Sequence, residues 1–185
     1  MKELPKNPSD WITKSTKTVY DNQWISIYHH EVQNPGGGDG IYGVVHFKNT
    51  AIGIIPIDAE GLITLVGQFR YPHKQYSWEI PEGGGPKEED PLDAAKRELE
   101  EETGLTSNIW SKVFEMDLSN SASDERSIIF LAENCSPGQS SPEETEALAL
   151  VKISINELYL RVESGEIRDS LTVAAAYWLK LNRGK

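Results

Sequence analysis

Residues Gly83 to Leu105 read GGGPKEEDPLDAAKRELEEETGL. Asp90 stands before Pro91. Asp is a favoured N-cap, and proline is tolerated at the first helical position because its missing N–H would have no intrahelical partner. Asp93 adds a carboxylate to the first turn, where the helix dipole favours it. Ala94, Ala95, Leu99 and the Lys, Arg and Glu residues around them are strong helix formers. Gly104 accepts the left-handed conformation that follows a helix end. The spacing therefore predicts a helix from Pro91 to Thr103.

At about 100° per residue, Glu98, Glu101 and Glu102 share one sector of that helix. Leu92, Ala95 and Leu99 form the neighbouring stripe, which can pack on a sheet. Like charges three and four residues apart repel by a few tenths of a kcal/mol per pair. These three also lie toward the C-terminal half, the unfavourable end for anions. Both penalties are relieved by a divalent cation, and hard cations such as Mg²⁺ take carboxylate oxygens.

The rest of the 185-residue chain sets the context. Its length suits one domain with a full core. Charged residues make up 25% and hydrophobic residues 38%, the range of soluble globular proteins. The net charge of −11 disfavours nucleic acid and anionic membranes as partners, since both require basic patches. A phosphate-binding site in so acidic a chain would rely on bound cations for positive charge. The single cysteine, Cys135, allows no intrachain disulfide and fits a reducing cytoplasm. The start, MKELPKNPSD, lacks the apolar core of a secretory signal.

Residues 1–20 read as a polar arm. Trp24 to Val32 and Ile41 to Lys48 read as strands of a hairpin about the glycine-rich turn at 34–40. Ala51 to Ile57 and Leu62 to Phe69 follow as strands about a turn at 58–61. After the helix, Ile109 to Leu118, Ser127 to Ala132 and Ala147 to Ile153 read as strands, with a loop at 133–145. Asn156 to Glu163 and Ser170 to Leu181 read as helices. Strands on both sides of a central helix, then two terminal helices, predict an α/β fold with a mixed sheet covered on both faces.

The offsets within 83–105 extend beyond the helix. Gly83 is followed by five residues and Glu89, then seven and Arg97-Glu98-Leu99, then Glu101-Glu102, a spacer and Gly104-Leu105. The chain is identified on this stretch as resembling the Nudix hydrolases, enzymes that cleave nucleoside diphosphates linked to another group. No position of that family's box is broken. The resemblance implies an α/β/α sandwich preceded by an N-terminal antiparallel β-hairpin used in dimerisation, within a single domain over 1–185: arm and hairpin at 1–49, catalytic core at 50–185. It implies metal binding by Glu98, Glu101 and Glu102 and by the backbone carbonyl of Glu82. Glu102 also counts as catalytic. Glu89 and Arg97 brace the loop on the helix, and Gly83 and Gly104 hold structural positions of the box. Mg²⁺ is the implied cofactor, with Mn²⁺ as a substitute.

Flanking residues narrow the branch. QFRYPHKQYSWEIPEGG, at 68–84, resembles the ADP-ribose and nucleoside-diphosphate-sugar pyrophosphatases. That implies diphosphate contact by Arg70, a role for which guanidinium forks suit, and places Glu79 near the substrate. Trp24 and Tyr42 match aromatics that sandwich the base in dimers with exchanged N-terminal segments. SPEETEA, at 141–147, matches a loop bearing a late catalytic glutamate. Glu144 and Glu146 are the candidates, one to deprotonate water and the other to add a metal ligand. Gly165 to Thr172 resembles a tail motif that caps the last helix.

ADP-ribose-specific members carry a proline about fifteen residues past the box. Residues 118–125 here, LSNSASDE, have none, which opens the substrate class to GDP-mannose and ADP-glucose. The expected activity is cation-dependent hydrolysis of a nucleotide sugar to a nucleoside monophosphate and a sugar phosphate, in a cytoplasmic homodimer that binds neither nucleic acid nor membrane. The alternatives are a Nudix hydrolase of nucleoside triphosphates or dinucleoside polyphosphates, and a non-catalytic nucleotide sensor.

Overall fold

The computed structural model describes residues 3–4, 10–138 and 148–183. The chain divides into two compact units, Met1–Lys48 with Asp117–Glu125, and Asn49–Met116 with Arg126–Lys185.

In the first unit, β1 (Ile12–Asp21), β2 (Ile25–Gln33) and β3 (Asp39–Phe47) form an antiparallel sheet in that order. The predicted hairpin is β2–β3, and its turn is tied by Asn34, whose side-chain oxygen accepts from the N–H groups of Gly36 and Gly38. The arm expected over 1–20 is instead a strand from Ile12. Its run ITKSTKTVYD is rich in β-branched residues, which fit a pleated strand even where every side chain is exposed. Residues 117–125 dock on β3: Val45 N–H donates to Ala122 O at 2.9 Å and Phe47 N–H to Asp124 Oδ1 at 2.9 Å.

The second unit is built on a mixed sheet with the path β11–β5–β4–β10–β8. Here β4 is Asn49–Asp58, β5 Leu62–Arg70, β8 Leu105–Thr106, β10 Arg126–Pro137 and β11 Ala149–Ser154. β6 (Gln75–Glu79) pairs with β5, β7 (Glu82–Pro86) with β4, and β9 (Ile109–Asp117) with β10. β4 and β10 are parallel; β5–β6 and β4–β7 are antiparallel. Strand β10 runs five residues into the expected loop, because Ser136 and Pro137 pair with β8.

Alternation along β4 and β10 divides the core between two faces. On one face Ile52, Ile54, Phe130 and Ala132 pack against Ala94, Ala95 and Leu99 of α1 (Pro91–Thr103). On the other, Gly53 lies against Ile129, Ile80 and Leu171, the last from α3 (Ser170–Arg183). Helix α2 (Ile155–Glu163) buries Leu158. The unit is thus the expected α/β/α sandwich. Among the described residues no helix is long and apolar enough to cross a membrane.

Candidate active site

The predicted helix bounds coincide with α1, and the caps are those read from sequence. Asp90 accepts from Leu92 N–H at 2.9 Å and from Asp93 N–H at 3.4 Å. Gly104 closes the helix at φ 66°. Glu98 projects from α1 onto β7. A Cβ at Gly83 would lie 2.1 Å from the Glu98 carboxyl carbon, so only glycine leaves room for that carboxylate.

Arg97 organises the acids around it. Its Nη1 donates to Glu98 Oε1 at 2.9 Å and to Glu101 Oε2 at 2.8 Å. Its Nη2 reaches Glu89 Oε2 at 3.3 Å and Gly84 O at 3.4 Å. The brace between Glu89 and Arg97 is therefore present. Burial lowers the Arg97 pKa, but bonds to Glu89, Glu98 and Glu101 outweigh it and raise it above the ordinary arginine value.

A second charged group adjoins the box at Glu82. Glu79, at the end of β6, is 2% exposed. It accepts from Arg70 Nη2 at 2.6 Å and from Arg70 Nε at 3.0 Å. Gln68, two residues earlier on the same face of β5, reaches Glu79 Oε2 at 3.4 Å. Arg70 Nη2 also bonds Glu82 Oε1. The backbone N–H of Glu82 donates to Glu102 Oε2 at 2.9 Å. Asp169 joins from the start of α3, where its Oδ2 accepts from Thr172 N–H at 2.7 Å and from Thr172 Oγ1 at 2.8 Å. Thr172 Oγ1 in turn accepts from Ile80 N–H at 2.9 Å, which fixes α3 to the β6–β7 connection.

Carboxylate oxygens of Glu79, Glu82 and Asp169 lie within 4.8 Å of one another. Burial, with the carboxylates of Asp169 and Glu79, holds the Glu82 carboxyl well above its usual pKa; Arg70 opposes the shift. Glu82 Oε2 is buried without a hydrogen-bond partner. Hard oxygen donors, an orphaned buried carboxylate oxygen and the nearly buried Glu102 make a donor set that fits a divalent cation.

Beside Arg70 opens a cleft of about 610 Å³, lined by Gln75, Tyr76, Glu79, Arg168 and Asp169 among others. Neither the cleft nor the part played by Asp169 was read from sequence. Asp169 carries a helix-capping signal, Asp169 to Thr172 before an apolar helix, but its approach to Glu79 and Glu82 depends on tertiary placement.

The second unit thus brings together Arg70, Glu79, Glu82, Gly83, Glu89, Arg97, Glu98, Glu101 and Glu102. Trp24 and Tyr42 belong to the first unit. Trp24 is 61% exposed. Tyr42 packs edge-on against Trp11, with ring centroids 5.5 Å apart, and donates its hydroxyl to Ser121 O at 2.6 Å. Trp24 O accepts from Lys48 N–H, and Tyr42 lies six residues earlier on β3, about 20 Å along the strand. One chain's Trp24 and Tyr42 cannot sandwich a single base. Glu144 and Glu146 lie outside the described residues.

A mixed-sheet α/β/α unit with a glutamate-rich helix, a Gly83 seat for Glu98 and an arginine brace defines a class: cation-assisted hydrolases of phosphoanhydrides. Residues 47–172 match the model of the NUDIX domain family, and residues 11–45 that of the nucleoside diphosphate sugar hydrolase N-terminal domain. The chain belongs to the Nudix family. It is 32% identical over 171 residues to the ADP-ribose pyrophosphatase of Bacillus subtilis, covering 91% of this chain and 92% of the relative. It is 32% identical over 173 residues to the ADP-ribose pyrophosphatase of Mycobacterium tuberculosis, covering 89% and 81%. A solved structure described as an ADP compounds hydrolase superposes with a TM-score of 0.83 over 95% of both chains at 19% identity, a likeness of fold.

Proposed function

We propose that this protein hydrolyses the diphosphate bond of nucleoside diphosphate sugars, ADP-ribose first among them, to a nucleoside monophosphate and a sugar phosphate. The observation that carries the reading is the junction at Glu82. Its side chain takes the Arg70 guanidinium while its N–H binds Glu102, so the arginine suited to a diphosphate and the box carboxylates share one residue. The names of the relatives support the substrate class.

Glu98, Glu101, Glu102 and the Glu82 carbonyl are the groups that would hold Mg²⁺, or Mn²⁺ in its place. When bound, such a cation neutralises diphosphate oxygens and lowers the pKa of coordinated water. Arg97 spaces Glu98 and Glu101 and offsets their repulsion. Arg70 directs its remaining donors at the diphosphate, held in orientation by Glu79. Preorganised donors of this kind stabilise charge that develops in the transition state. Glu144, with Glu146 as the alternative, would accept the proton of the attacking water.

The base would stack on Trp24 of one chain and Tyr42 of another, since the two rings of one chain lie too far apart. A homodimer joined through the N-terminal units accounts for this. It would also cover Trp11, Ile12, Val19, Tyr20 and Ile41, which are exposed in the single chain. A cytoplasmic location is consistent with the single, unpaired Cys135.

The test is turnover of ADP-ribose, GDP-mannose and ADP-glucose side by side with Mg²⁺, with products identified. Release of nucleoside monophosphate from at least one is expected. Faster cleavage of nucleoside triphosphates or dinucleoside polyphosphates than of any of these overturns the substrate class.

A further inference from the structure

The cleft of about 610 Å³ beside Arg70 falls within the range of small-molecule sites. Its electrostatics are uneven. Three carboxylates line it, and each has a partner. Glu79 is bound by Arg70, Glu166 is paired with Arg161, and Asp169 caps α3. Arg70 is already flanked by two carboxylates. Arg168, the other arginine of the lining, is exposed. Its guanidinium donates to the neutral side-chain oxygen of Gln75. Among the described residues it forms no ion pair with a carboxylate, and it lines the cleft.

The backbone holds Arg168 in place. On one side Ile167 is 2% exposed, with its N–H bonded to Arg161 O at 3.1 Å. On the other, Asp169 is fixed as the cap of α3. Gly165 makes the preceding turn at φ 75°. A planar fork on a fixed segment suits a phosphate monoester better than a mobile surface cation does.

Resting on the nucleotide-sugar reading above, we propose that this cleft receives the sugar-phosphate half of the substrate and that Arg168 binds its phosphate. Arg168 would then hold the phosphate that carries the sugar. The Glu82 junction, bonded to Arg70 of the lining, would set the reacting bond beside the cleft, with the nucleotide half extending away from it.

The experiment compares wild type with Arg168→Ala, Arg168→Lys and Arg168→Gln. It reads kcat and KM for ADP-ribose, competitive inhibition by ribose 5-phosphate and by AMP, and the melting temperature. A charge-assisted bond to phosphate is worth roughly 10- to 100-fold in binding. Arg168→Ala should raise KM and the ribose 5-phosphate inhibition constant by about that factor. Inhibition by AMP should stay within about threefold, and Arg168→Lys should recover part of the loss. Arg168→Gln, which keeps a polar side chain and loses the charge, should lose about as much as Arg168→Ala. The proposal is overturned if Arg168→Ala leaves ribose 5-phosphate inhibition unchanged, or if AMP inhibition weakens in its place. It is also overturned if Arg168→Gln keeps wild-type inhibition, which marks the contact as packing and not charge. If Arg168→Ala does not fold, Arg168→Lys against Arg168→Gln decides the same question. Wild type that turns over no nucleotide sugar defeats the substrate reading itself. Wild type that does, with Arg168→Ala unaffected, defeats only this one.

Discussion

Gly83→Ala tests whether the box works by placing the Glu98 carboxylate. A Cβ at position 83 would stand 2.1 Å from Glu98 Cδ and Oε2 and 2.5 Å from Oε1. Non-bonded carbon contacts settle at about 3.5–4.0 Å, so the carboxylate must retreat by about 1.4 Å or more. Its 2.9 Å bond to Arg97 Nη1 would not survive that shift. The obstruction is the end of a side chain, and Gly83 does not occupy the left-handed region, so the strand and sheet should be retained. A displacement of about 1 Å in a positioning group can lower a rate by about 10²-fold. The expected result is a loss of about 100-fold in Mg²⁺-dependent kcat/KM on the best nucleotide sugar. The melting temperature should stay within about 4 °C, the shift that 1 kcal/mol produces in a chain of this size. Adding Gly83→Ala to Glu98→Ala should change the rate by less than about threefold, because the two act through one carboxylate. A near-wild-type rate for Gly83→Ala, or a further 100-fold loss on the Glu98→Ala background, refutes the reasoning.

Two further outcomes follow from buried groups away from the cleft. Burial raises the Asp58 pKa, but Lys152 at 2.9 Å and the N–H groups of Leu62 and Glu60 outweigh it and hold it below the usual 3.8. That stability is present above the unfolded pKa and lost as pH falls through the lower folded one. Asp58→Asn should therefore be less stable at pH 7 by about 1–3 kcal/mol in urea, with the gap closing below about pH 4; a gap independent of pH contradicts the assignment. Cys135 is 6% exposed, and burial pushes its thiol up to about 11. It should resist a disulfide reagent in native protein at pH 8 and react fully in guanidinium; prompt native labelling would show that the site opens.

The helix was legible to the residue because its ends are set by local chemistry: Asp90 and Pro91 at the start, Gly104 at the stop. The acidic face of α1 was legible because like charges at helical spacing repel one another unless something offsets them, and Arg97 bonds two of them. The misses are non-local. β1 hid behind a polar composition because none of its side chains is buried, so it carries no apolar alternation. β7 hid in a glycine run, where the signal is what the strand must admit: Ala94 would stand 3.0 Å from a Cβ at Gly85, so close packing of α1 excludes side chains there. The extension of β10 depends on pairing with β8, thirty residues earlier. Arg168 and Asp169 reach Gln75 and Glu79 only through the docking of α3, which no local spacing encodes.

The two arginines of the site show how an acidic chain can still be built for a diphosphate. A chain of net charge −11 repels a nucleotide at long range. Arg97 and Arg70 are each surrounded by more than one carboxylate, so neither gives the site a net positive field. Their value is directional. Carboxylates on one side of a guanidinium fix its plane, and the remaining donors then point where the geometry aims them. Attraction has to come from elsewhere, and the two sources differ in kind. A divalent cation at the glutamates, as proposed, would supply charge that comes and goes with metal concentration. Arg168 supplies charge that is permanent and placed in the cleft. On this division the cation and Arg168 act on the same diphosphate, Arg168 at the phosphate that carries the sugar.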